Sequence, residues 1–217
     1  MRQINEQEIL NSILAREESR NFEFKPGFQW TELKSRKLKE EVIKSIVAMS
    51  NTPSGGDIVL GIVWNQRIRR HEPRGVNSKH LTYFTENYEQ IEQQIHKICS
   101  QTPDFEIQWG EARIEKGKPR KRFIRIRVTE FSIYPILTID HGKEREDTGT
   151  KDFVIKEDTL YVRTKKATWS SRKATWKEFE EVIRLTADKY RKQLKVRGYV
   201  KLDSLSVRLK EEREDYE

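Results

Sequence analysis

Two glutamates and a lysine near the start of the chain, Glu18, Glu23 and Lys25 within "EESRNFEFK", are the residues whose types and spacing best suit chemistry. Glu23 alone needs nothing beyond water or a salt bridge on a solvated strand face. Glu18, five positions earlier, changes that. Two carboxylates brought within about 4 Å repel by about 4 kcal/mol at an intermediate effective dielectric, so such a pair calls for a divalent cation, a lysine or a shared proton.

Basic side chains form a second group. Arg125 and Arg127 share one face of a strand, while Arg67, Arg69, Arg70 and Arg74 fill a loop. Arg163, Lys165, Lys166, Arg172 and Lys173 follow a late strand, interleaved with Trp169 and Trp176. Such clusters can track a phosphate backbone while exposed aromatics stack on unpaired bases. The same residues also make an ordinary charged surface, with Trp176 in a core at the first turn of its helix. "RTKKATWSSRK" is the strongest of these segments, having too few apolar residues to be buried.

Alternating helix and strand signals must position these groups. Asn5 with Glu8 makes a capping box, and Ile9, Leu10, Ile13 and Leu14 mark a helix that stops near Arg16. "NFEFK" alternates like a strand with Phe22 and Phe24 in the core and its charges on the other face. Leu38, Val42, Ile46 and Val47 predict a helix to about Ser50, broken at "NTPSGG". "IVLGIVW" then reads as one central strand buried on both faces. Asn51, Gly55, Gly56 and Gly61 sit at the handover and serve structure there, glycine permitting close approach and positive φ.

"RIRRHEPRGVNSKH" reads as a basic loop, and Tyr88, Ile91, Ile95 and Ile98 mark a helix closed by "QTPD". "KRFIRIRVTE" places Ile124, Ile126 and Val128 inside, with Phe123, Arg125 and Arg127 opposite. "DFVIKEDTLYVRT" predicts a hairpin turning at Glu157-Asp158. Thr175 and Glu178 form a second capping box, opening a helix whose Phe179, Val182 and Ile183 face the core. The resulting expectation is one α/β (α+β) domain with a mixed sheet flanked by helices. It runs over 17–189, with an N-terminal helix at 1–16 and a basic, helical or partly ordered extension at 190–217.

Composition bounds the function. At 35% hydrophobic and 36% charged, 217 residues still bury one core. The 43 Lys and Arg against 35 Asp and Glu leave a net charge of +8, which favours polyanionic partners where the excess clusters. The one cysteine, Cys99, excludes an intramolecular disulfide and a cysteine metal cluster, and it falls on the apolar register of a helix. His71, His80, His96 and His141 lack ligand spacing, and no Gly-rich phosphate loop ends in Gly-Lys-Ser or Gly-Lys-Thr. No signal core or long apolar run is present, so the expectation is a soluble, cytoplasmic protein without a membrane partner.

Taken together, these pieces resemble the AlbA-like domain of Schlafen proteins. The resemblance rests on Glu18, Glu23-Phe24-Lys25, Ala48-Met49-Ser50-Asn51-Thr52, Gly55-Gly56, Gly61-Ile62 and Tyr161-Val162-Arg163, in that order over about residues 17 to 187. It implies metal-supported phosphodiester cleavage of structured RNA such as tRNA, with Glu18 and Glu23 as ligands and Lys25 neutralising phosphate charge. Carboxylate oxygens suit Mg²⁺ or Mn²⁺ for that task. The family's third acid, an aspartate just beyond the Gly-Val strand, is replaced here by Val63, Trp64 and Asn65. Asp57 substitutes for it as a metal ligand only if its strand end folds back towards Glu23; otherwise it caps a turn. Two functions stay open: a metal-dependent endoribonuclease, or a DNA- or RNA-binding module without catalysis. Nuclease members pair two such domains, so the resemblance also implies a homodimer as the source of a second half.

Overall fold

In a computed structural model of the chain, residues 1–14, 18–30, 36–140, 155–165 and 169–196 are described. β1 (Arg2–Gln3) leads into α1 (Glu6–Leu14), opened by the expected box. The Asn5 side chain accepts the Glu8 N–H at 2.9 Å, and the Glu8 carboxylate accepts the Asn5 N–H at 3.1 Å. β2 (Phe22–Lys25) and α2 (Arg36–Ser50) follow as the periodicity predicts, and then β3 (Gly56–Leu60).

The reading of "IVLGIVW" as one strand needs correction, because the chain breaks at Gly61. Its φ of +106° suits glycine, and its carbonyl accepts the N–H groups of both Arg74 and Gly75 at 2.8 Å. Beyond it, β4 (Ile62–Asn65) leaves the main sheet and pairs antiparallel with β5 (Arg70–Pro73) as a separate hairpin. The expected basic loop therefore contains the last three residues of a four-residue turn, a strand and the start of α3 (Ser78–Glu86). α4 (Tyr88–His96) buries Ile91 and Ile95 as expected, but it ends before Ile98 and Cys99; Cys99, expected on its apolar register, is buried in an antiparallel bridge to Thr138 instead.

β6 (Phe105–Ala112) and β7 (Lys121–Val128) complete a mixed five-stranded sheet in the order β1-β6-β7-β3-β2. β1 runs parallel to β6 and β2 parallel to β3, while the other pairs are antiparallel. Both faces of this sheet are covered. On one, Ile58, Leu60, Ile124, Ile126 and Val128 join α2 in the larger core cluster. On the other, Phe24, Val59 and Phe123 meet Ile9 and Ile13 of α1. The alternation along β7 is as expected, but the face opposite Ile124 and Ile126 is interior too: Phe123 is fully buried and Arg125 is 5% exposed.

A smaller sheet of β8 (Leu137–Thr138), β9 (Thr159–Lys165) and β10 (Trp169–Lys173) has the order β10-β9-β8. α2 packs on β3 and β7 of the large sheet and on β9 and β10 of the small one, which is why nine of its residues from Glu40 to Ser50 are buried. The predicted turn at Glu157-Asp158 is present, with Asp158 at φ 47°, though 152–154 lie outside the described residues. The described partners of β9 are β8 and β10.

Thr175 and Glu178 cap α5 (Trp176–Val196), the Glu178 carboxylate accepting the Thr175 N–H at 2.8 Å. Of its three expected core residues only Val182 is buried. Phe179 and Ile183 are 37% and 51% exposed, because the helix meets the domain along a narrow line. α5 also continues past the expected boundary at Tyr190 to Val196, and 197–217 lie outside the described residues. Among the described residues no helix is long and apolar enough to cross a membrane.

Candidate functional site: an acidic pair held by buried cations

Period-two alternation puts Phe22 and Phe24 on the α1 side of the sheet and Glu23 and Lys25 on the α2 side. The second side was expected to meet solvent. Instead β9 and α2 cover it, and Glu23 is only 4% exposed.

There Glu23 meets two cations. One carboxylate oxygen lies 2.8 Å from Lys25 Nζ, the other 2.9 Å from Arg163 Nη1. The Arg163 side chain has no solvent exposure. Its Nη2 donates to the carbonyls of Ser19 and Phe22 at 3.0 and 3.1 Å, so the same guanidinium fixes the backbone at the entry to β2. Nη1 also reaches Ser171 Oγ at 3.5 Å, and Ser171 in turn donates to Ser45 Oγ of α2 at 3.2 Å. Lys25 Nζ lies 3.5 Å from Glu41 on α2.

Burial by itself raises the Glu23 carboxyl, but Lys25 and Arg163 outweigh it and hold the group below the usual carboxylate range. Burial likewise lowers Lys25, and Glu23, Glu41 and Glu18 more than reverse that. Both groups are therefore charged at neutral pH. Glu18 lies within electrostatic reach of Lys25, and its carboxylate accepts the Phe24 N–H at 3.2 Å.

Glu18, Glu23 and Lys25 are thus brought together; Asp57 is not. Paired opposite Phe22, Asp57 projects from the α1 face, where Arg127 Nε and Nη2 hold its two oxygens at 3.1 and 3.3 Å. The proposed metal set of Glu18, Glu23 and Asp57 is split between the two faces of the sheet. Among the described residues no group of three or more His, Cys, Asp or Glu side chains is arranged to hold a metal ion. Among the described residues Glu18 and Glu23 offer an ion only two carboxylates, short of the oxygen set that Mg²⁺ or Mn²⁺ takes from protein, and a cation at Glu23 would meet the positive charges of Lys25 and Arg163 at 2.8 and 2.9 Å from its oxygens. Asn65 stands where the third acid was sought, and it serves the hairpin: its Oδ1 accepts the N–H groups of Arg67 and Ile68, and its Nδ2 donates to Glu72.

The basic set is dispersed. Arg125, expected on an open face, is turned inward to Gln108 and, at 3.2 Å, to Ser12 of α1. Arg163 is buried as described. Arg127 is tied to Asp57, and Arg172 to Glu178 at 3.0 Å. Lys173 is exposed, and Lys165 and Trp169 are opposite each other in the β9–β10 register. Lys166 lies outside the described residues.

The expected structural residues are at tight junctions. Asn51 donates to the carbonyls of Ile136 and Tyr161 and accepts the Ile136 N–H, joining the end of α2 to β9. A Cβ on Gly55 would stand 2.1 Å from the Val128 carbonyl oxygen, and one on Gly56 2.7 Å from that of Asn21. The role of Arg163 as the partner of Glu23 was missed. Its signal was a lone arginine closing the apolar run "LYVR", matched by a lone glutamate in "FEF".

A family model described as Schlafen, AlbA_2 matches residues 18–168. No curated protein matches the sequence. Among solved structures, the DIP2311 protein from Corynebacterium diphtheriae is similar at 17% identity and a TM-score of 0.43. That match covers 83% of this chain and 33% of the other, so the chain spans about a third of that structure's length. The family supports a nucleic-acid-related function. With the family model matching well over half of its length, the chain belongs to the Schlafen AlbA_2 family.

Proposed function

We propose that the domain is a nucleic-acid-binding module in which the acidic pair is part of the scaffold. The observation that carries this reading is the occupation of both Glu23 oxygens, one by Lys25 and one by the fully enclosed Arg163. A carboxylate so held is a strut between β2 and β9. The net charge of +8 and the family's nucleic-acid relation support the polyanionic partner, RNA or DNA.

A second reading, metal-dependent cleavage of structured RNA such as tRNA, is favoured by one observation: Glu18 and Glu23 both lie within electrostatic reach of Lys25, along β2 and its entry. Labelled tRNA and single-stranded DNA, incubated with the protein in Mn²⁺, Mg²⁺ or chelator, separate the two. Salt-sensitive binding with no cleavage in any condition is the expected result. Cation-dependent cleavage that disappears in Glu18→Ala would overturn the module reading in favour of the nuclease.

A further inference from the structure

Among the described residues the β4–β5 hairpin is the one strand pair that leaves both sheets and carries an exposed aromatic together with a run of arginines. Trp64 is 49% exposed on β4 and Ile68 43% exposed in the turn, beside exposed Arg67, Arg69 and Arg70. Among the described residues none of these three arginines has a carboxylate at ion-pair distance, whereas Arg74, Arg127 and Arg172 each do. We propose that this hairpin grips single-stranded nucleic acid, with Trp64 stacking on an unpaired base and Arg67, Arg69 and Arg70 holding the adjoining phosphates. The proposal deepens the module reading and rests on it.

Three features suit the hairpin to that task. Trp64 is braced, not sunk: its ring packs against His71 at 4.9 Å, and His71 packs on the buried Phe24 at 4.8 Å. An indole held from one side and open on the other is a stacking platform, and only an unpaired base has a free face to offer it. The turn is preorganised, since Asn65 caps the N–H groups of Arg67 and Ile68 and Arg69 takes φ 49°. The arginines are therefore presented on a defined loop at reduced ordering cost. Beside the hairpin lies a cleft of about 690 Å³, with Ile62 and Ile114 among its walls and Arg70, Arg74, Lys121 and Glu115 around them. That volume is within the range of small-ligand sites, so the next nucleotide of the strand has room there.

The test uses one labelled oligonucleotide of about 12 nucleotides, as a single strand and as a duplex, titrated by fluorescence anisotropy between about 50 and 200 mM salt. The single strand should bind more tightly than the duplex. Trp64→Ala should weaken it by about 5- to 150-fold, the value of one base–aromatic stack, and Trp64→Phe should restore most of that. The triple variant Arg67→Gln, Arg69→Gln, Arg70→Gln should lower the slope of log K against log salt by about 2, at about 0.7 per phosphate. Arg184→Gln with Arg191→Gln on α5 should match wild type. Wild-type binding that survives unchanged in the Trp64 and triple variants would overturn the hairpin assignment and leave the module reading standing. A preference for the duplex would overturn the stacking role. A wild-type protein that binds neither form would remove the module reading itself, and the hairpin role with it.

Discussion

Replacing Glu23 distinguishes a strut from a metal ligand without any substrate. In the observed geometry Glu23→Ala strips Arg163 of its counter-ion at 2.9 Å, and a side chain with no solvent exposure cannot turn to water. Removing one partner of a buried pair costs about 3–5 kcal/mol. Lys25 adds little to this loss, because its side chain is 18% exposed and keeps Glu41 at 3.5 Å. For a chain of this length the melting temperature should fall by about 6–20 °C, at about 2–4 °C per kcal/mol. Glu23→Gln keeps an acceptor for Arg163 and removes only the charge, so it should cost less, about 1.5–3 kcal/mol. The pH dependence carries a definite sign. Because the folded carboxyl is held below its ordinary value, its contribution is complete above about pH 4.3 and is lost as pH falls through the folded value. The gap between wild type and Glu23→Gln should accordingly be largest near neutrality and close in acid. Thermal and urea unfolding by circular dichroism, at pH 7 and at stepwise lower pH, provide the readout. Carboxylates gathered for an absent cation repel one another, so a variant as stable as wild type or more stable would refute the strut.

Three further outcomes check other parts of the structure. Asn51→Ala leaves the Ile136 N–H without its acceptor at 2.8 Å, and should lower stability by about 1–3 kcal/mol for that group alone, seen as a lower urea midpoint. Gly61→Ala must hold φ +106° with its Cβ 2.9 Å from the Gly75 backbone. It should cost about 1–3 kcal/mol and speed tryptic cleavage at Arg67, Arg69 and Arg70 as the hairpin loosens. Burial pushes the Cys99 thiol up to about 12, so a disulfide reagent at pH 8 should leave the folded protein unmodified and label it only in denaturant.

Local signals in the sequence identify most of the elements. The Asn5–Glu8 and Thr175–Glu178 boxes mark helix starts, and Phe22–Lys25 and Lys121–Val128 show strand alternation. Alternation says that a strand has two faces, but it does not say what covers each. The cover for Glu23 comes from Arg163, 140 residues further on, and the cover for Arg125 includes Ser12, 113 residues earlier. Both side chains were read as facing outward because no local signal carries that information. Gly61 illustrates a different limit. An apolar run on both sides of a glycine reads as one strand unless the glycine's φ is known, and here that angle separates the hairpin from the sheet. The grouping of Glu18, Glu23 and Lys25 was legible from their spacing; the split of Asp57 from them follows from its register opposite Phe22, which the sequence does not display.

A lone charge within an apolar strand therefore has to be matched against other lone charges before it is assigned chemistry. Desolvating an unpaired ion costs several kcal/mol, so a buried one persists only with a partner from another element. "FEF", "FIRI" and "LYVR" each carry such a charge. Glu23 and Arg163 answer one another, and Arg125 is met by Gln108 and Ser12. The charges that remain for a partner molecule are those whose surroundings make no such demand, and the arginines of the β4–β5 turn are of that kind. They are exposed, and among the described residues no carboxylate lies at ion-pair distance from them, Glu72 acting on Arg70 only at longer range, so a phosphate can approach without first breaking an ion pair. On this ground the proposed polyanion contact is placed on the hairpin, and the acidic pair is read as a strut at the join between the two sheets.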